Sequence, residues 1–125
     1  MRSFLIPSVL CVAISVSASP NSPFLRLEQT NKGGKVQLTV KNISQKPIVA
    51  YVVVVESPNH RSVLHGVYTG KDALAVGQSA AVGEVAAPID QVKGFIDYVR
   101  LADGTTWGEA ATEDAKEISA RFQQQ

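Results

Sequence analysis

The chain is poor in the residues that clip small proteins together. Its 125 residues include one Cys, one Met and one Trp. A disulfide framework and a Cys-based zinc site are thereby excluded. Charge is sparse and balanced: 18% of residues are charged and the formal net charge is +1. That balance does not mark a nucleic-acid binder or a polybasic membrane binder. A membrane-crossing helix needs about 20 apolar residues, and the longest apolar run falls short of that. No G-x-S-x-G elbow and no phosphate-cradling glycine loop occurs; Gly33, Gly34 and Gly77 are isolated turn residues. No internal repeat is visible. What is present, at 45% hydrophobic residues, is an ordinary globular composition for one domain.

The first residues read as an export signal. Arg2 is the only charge before Arg26, and Phe4 to Val16 is apolar apart from Pro7 and two serines. Val16-Ser17-Ala18 then supplies small residues at the last position and a Val at the third-last. A charged start, a short apolar middle and a small-residue end predict a secretory signal over 1–18, cleaved after Ala18, with Ser15 or Ser17 as fallback sites. Cys11 follows Leu10, where lipidation needs a small residue, so a lipoprotein signal is not expected. Cleavage removes the only Cys and the only Met. The expected product is secreted or periplasmic, has no membrane span, and relies on its core alone.

Residues 19–23 (SPNSP) read as a linker. Phe24 to Glu28 reads as an edge strand, and Asn31 to Gly34 as a turn. Val36, Leu38 and Val40 alternate with Gln37, Thr39 and Lys41, so that strand has one buried face. Ile48 to Glu56 is apolar on both faces and rich in β-branched residues, which suits a central strand. Ser62 to Thr69 is a strand weakened by Gly66. Gly70 to Ser79 is a loop anchored by Leu74, and Ala80 to Val85 is a strand of small residues. Val92 to Ala102 is a long strand whose two faces do not sort cleanly. A bulge near Gly94 or Asp97 would reconcile them. Asp103-Gly104 predicts a hairpin with a type I′ turn. From Glu109, Ala111, Ala115, Ile118 and Phe122 fall at helical spacing. Early acids, later bases and Thr112 as a cap complete a C-terminal amphipathic helix over 109–125.

Short strands between turn signals, with one terminal helix, predict an all-β fold: an antiparallel β-sandwich over 24–108 followed by that helix. Val36 to Ile48, with its Asn42 strand end and Pro47, resembles a strand-to-strand passage of bacterial extracytoplasmic immunoglobulin-like modules. Leu74-Ala75-Val76-Gly77-Gln78-Ser79 is similar to a later strand opening in those modules, with Val76 in place of their Pro. Asp97 to Gly108 resembles the last hairpin of small bacterial exported proteins of unknown function. The resemblance covers most of 24–108 and implies an immunoglobulin-like β-sandwich. It implies no activity, because the fold carries many unrelated functions.

The halves of the expected mature chain carry +5 (Ser19 to Lys71) and −5 (Asp72 to Gln125). Interleaving of the halves would cancel them, since sequential strands usually neighbour one another. His60 and His65 are five apart and so do not share a strand face. No metal site or cofactor is expected. A triad built from His65, Asp97 and a serine has no spacing to support it. Asp97, if turned inward, is a buried carboxylate that needs partners, and a structural bridge is its expected role. Asn42-Ile43-Ser44 matches a glycosylation sequon, or else Asn42 is a turn residue ending a strand.

Without a coherent catalytic set, the expected function is that of an exported, non-catalytic interaction module with an unidentified envelope or extracellular partner. Tyr98, Trp107, Ile118 and Phe122 form the candidate binding surface, with the helix docking near Trp107. Two alternatives are a protease inhibitor presenting Ser57 to Ser62 or Lys71 to Gln78, and a carbohydrate-binding module using Trp107 and the tyrosines.

Overall fold

A computed structural model describes residues 16–19 and 22–124. The expected signal sequence over 1–18 lies outside the described residues except for its last three, which with Ser19 make the first strand, β1 (Val16–Ser19). Seven strands follow: β2 (Leu25–Lys32), β3 (Lys35–Asn42), β4 (Ile48–Ser57), β5 (His60–Val67), β6 (Ser79–Val85), β7 (Lys93–Leu101) and β8 (Thr106–Trp107). Helix α1 (Glu113–Gln123) ends the chain.

The strands form two antiparallel sheets, ordered β1-β2-β3-β6 and β5-β4-β7-β8. One core joins them, built from Leu25, Leu27, Val36, Leu38 and Val40 on one side and Ile48, Tyr51, Val53, Ile96 and Val99 on the other. The alternation in β3 is realised: Val36, Leu38 and Val40 are buried while Gln37, Thr39 and Lys41 are not. β4 is central and covered on both faces, as its composition predicts. Its outer face carries Ala50 and Val52, which with Tyr98, Ala115 and Ile118 make a second core beneath α1. Such a double covering explains the unbroken apolar run: both sides of the pleat meet carbon.

Three breaks in register shape the sheets. Val52 opposes Tyr98 while Val53 opposes Ile96, so Asp97 is an extra residue in β7. This bulge lets both Ile96 and Val99 face the main core and places Tyr98 under the helix. A second extra residue is Val49, between Ile48 and Ala50. The third is Val82, where β3 opposes β6.

The hairpin at Asp103-Gly104 forms, but not with a type I′ turn. That turn needs positive φ at both central residues, and only Gly104 has it. Gly104 N–H donates to Leu101 O, and Leu101 N–H donates to Thr105 O. A three-residue loop closed by a left-handed glycine results.

The two charged halves interleave. Lys35 meets Glu84 at 4.0 Å and Lys46 meets Asp103 at 3.8 Å, each pair crossing from one half to the other. Among the described residues no helix is long and apolar enough to cross a membrane.

Asn42 is a buried hub. Its Nδ2 donates to Lys46 O and Leu74 O, both at 2.9 Å, and its Oδ1 accepts from Ser44 N and Oγ. Its exposure is 0%. Of the two expectations for this position, the strand-ending turn residue is the one the fold uses. Leu74 is the anchor expected of the 70–79 loop, bridging to Ile48 by two 2.9 Å backbone bonds.

Candidate functional site

The four candidate surface residues do not all lie on one side of the sheet. Tyr98 and Ile118 are 3% and 4% exposed, inside the second core. Trp107 opposes Val99, which faces the main core, and packs there. α1 lies on the other side of the same sheet. The expected docking of the helix beside Trp107 is therefore corrected: opposed residues point the same way, and Trp107 follows Val99 inward. Phe122, at the helix end, is half-exposed, as Trp107 is on the other side. An aromatic platform does not assemble either. Tyr51 is buried in the main core with Tyr68 against it, their ring centres 6.1 Å apart. Burial and the Tyr68 hydroxyl push the Tyr51 hydroxyl well above the ordinary phenol range.

Asp97 organises the start of α1. Its bulged backbone turns the carboxylate to the helix side. There it accepts from Ala111 N at 3.0 Å, Thr112 N at 2.9 Å and Thr112 Oγ1 at 2.8 Å. Thr112 in turn accepts from Ala115 N at 3.1 Å, the cap expected of it. Burial pushes the Asp97 carboxyl up, but the Thr112 and Ala111 donors, with the positive field of Arg61, outweigh it. The group stays charged below the usual carboxylate range. A carboxylate engaged by three donors at a helix start acts as a structural clamp. Gly108 makes the approach possible: a Cβ there would lie 2.3 Å from Asp97 O.

The histidines do not converge. His60 and His65 are both exposed. His65 Nδ1 lies 3.0 Å from Asp114 Oδ2, tying β5 to α1, and does not meet Asp97. Among the described residues no group of three or more His, Cys, Asp or Glu could hold a metal ion. The two loops considered for protease inhibition are tightly tied. Ser57 pairs with His60 across a two-residue turn, and the 71–78 loop is stitched by Leu74, Gly77 and Gln78 to Ile48 and Asn42.

The register sets Val67, Ala50, Arg100 and Thr106 in one row across the outer face of the second sheet. A cleft of about 660 Å³ lies between the end of the helix and the sheet. Val49, Val67, Tyr68 and Phe122 give it apolar walls; Arg100 and Arg121 give it positive charge. The Arg100 guanidinium sits 4.6 Å from the centre of the Phe122 ring. No carboxylate among the described residues pairs with it, whereas Arg121 has Glu117 at 3.7 Å. Asp103 also borders the cleft, but the Thr105 N–H, with a smaller contribution from Lys46, already engages it and holds its carboxyl below the ordinary range. A half-buried, flat, unpaired guanidinium beside apolar walls is suited to a carboxylate carried next to an apolar side chain.

No family model, no curated protein and no solved structure matches this chain. Its own geometry carries the functional reading.

Sequence reasoning missed Arg100 as a site residue because its neighbours come from 22 residues downstream. The helical spacing that places Phe122 could have suggested a partner on the sheet, but nothing local identifies which one.

Proposed function

We propose that the protein is an exported, non-catalytic binding module with an immunoglobulin-like sandwich, and that its cleft beside α1 takes an acidic, partly apolar peptide segment. The supporting observation is Arg100, half-buried over Phe122 and without a carboxylate partner among the described residues. Stacking on the ring fixes the plane of the guanidinium, so its free edge is pre-oriented for a two-oxygen partner. The export reading rests on the composition of residues 1–18. The non-catalytic reading rests on Asp97, which already accepts from three donors at the start of α1.

The test is a titration followed by amide NMR. Acetyl-Leu-Glu-Leu-amide is expected to shift Val67, Arg100 and Gly104, and its Gln counterpart to bind at least about tenfold more weakly. Arg100→Gln should abolish the difference between the two peptides. Absence of any shift at these residues would sink the proposal. A glucan that quenched the single Trp while the peptide did nothing would move the reading to a carbohydrate module at Trp107, which borders a second cleft of about 510 Å³.

A further inference from the structure

The two sheets have edges at β1, β6, β5 and β8, and removal of β1 would make β2 an edge in its place. β6 breaks register at Val82, β8 has two residues, and β5 carries Gly66 against the Tyr51 ring. Bulges, shortness and interior glycine all discourage an added strand. β2 has none of these. Its eight residues pair with β3 in unbroken register, and its other edge already accepts a strand: Val16–Ser19 of β1 lies antiparallel on Leu27 to Thr30. Cleavage after Ala18 would strip three of those four residues and leave the edge bare.

The direction of the backbone on that edge follows from one bond. Ile43 N–H donates to Phe24 O at 2.9 Å, so residues 24, 26 and 28 turn their peptide groups toward β3. Leu25, Leu27 and Gln29 then turn theirs toward the free edge. Their side chains point into the core, while Arg26 and Glu28 lie on the outer face, 3.7 Å apart.

We infer that, once the leader is removed, two copies of the chain join edge to edge through β2, antiparallel about a two-fold axis at Leu27. In that register Leu27 bonds its own counterpart, and Leu25 bonds Gln29 of the second copy. Arg26 stands opposite Glu28 of the second copy, twice. These are the positions without backbone bonds, where opposed side chains come closest. Axes at Arg26 or Glu28 would instead oppose like charges. The joined sheets run β6-β3-β2 into the second copy's β2-β3-β6, and the segment 16–18 acts before processing as a temporary cover. The inference rests on the export reading and is independent of the Arg100 cleft.

The full-length chain is expressed with its own leader in a bacterium, and the exported form is purified. Intact mass sets its first residue, and sedimentation gives its state. A processed chain should be a dimer at micromolar concentration. Arg26→Glu and Glu28→Arg should each weaken the dimer about tenfold, and the double exchange should restore it. Circular dichroism of each variant controls for folding. A processed chain that stays monomeric up to about 100 μM, or a chain that keeps residues 16–18, overturns the inference. So does a dimer whose single exchanges are silent or are not rescued by the double one.

Discussion

The two ends of helix α1 are held by different physics. At its start, Asp97 and Thr112 make four hydrogen bonds in a partly buried site. At its finish, one guanidinium stacks on one ring at 4.6 Å beside an open cleft. Between them Ala115 and Ile118 are buried on Ala50, Val52 and Tyr98. The hydrogen bonds are directional and fix the angle at which the helix leaves the sheet. The stack is tolerant of small sliding motions. One helix thus has a pinned end and an adjustable end, and the adjustable end is where the cleft lies.

Removing the pin should matter most. Asp97→Ala leaves two backbone N–H groups and the Thr112 hydroxyl without their charged acceptor, and should cost about 3–4 kcal/mol in urea unfolding. The same clamp has a pH signature. Its carboxyl is depressed in the folded state, so its contribution is complete above the ordinary value of 3.8 and fades as pH falls through the lower folded value. Stability of the parent should therefore drop in acid more steeply than that of Asp97→Ala. Parallel curves would mean that another acid carries the effect.

Ile118→Ala comes next. The side chain is 4% exposed in a small core, and truncation should cost about 2–3 kcal/mol by the same assay. Phe122→Ala should cost least, about 1 kcal/mol, because the ring is half-buried and its stack with Arg100 is partly solvated. If Phe122→Ala matched Asp97→Ala, the contrast between the ends would be lost. If it cost nothing but abolished peptide binding, the contrast would sharpen into a division of labour.

Much of this arrangement can be read along the chain. The alternation at Val36, Leu38 and Val40, the doubly covered β4 run, the bulge near Asp97 and the terminal helix all rest on local periodicity, and periodicity survives folding. Three things did not follow from it. Which way Asp97 points is decided by a bulge whose position depends on pairing with β4, not on β7 itself. Trp107 sits in a two-residue strand, too short for any alternation to assign its face. Arg100 and Phe122 meet because the helix folds back over the sheet, and nothing in either segment encodes that distance. The candidate surface is split for the same reason: Tyr98, Ile118 and Phe122 lie on the helix side of the sheet and Trp107 on the core side.

Asn42 carries a practical consequence for making the protein. Its amide is sealed at 0% exposure with both Nδ2 hydrogens committed to carbonyls. An expression host that attaches sugars to Asn-x-Ser during synthesis would modify this amide before the chain closes around it. The bulky product could not restore the bonds to Lys46 and Leu74, and the loop that Leu74 anchors would lose its seat. Yeast or insect-cell secretion should therefore give poor yields of folded material, which Asn42→Asp would not repair. A host without that machinery is the one that suits this sequence.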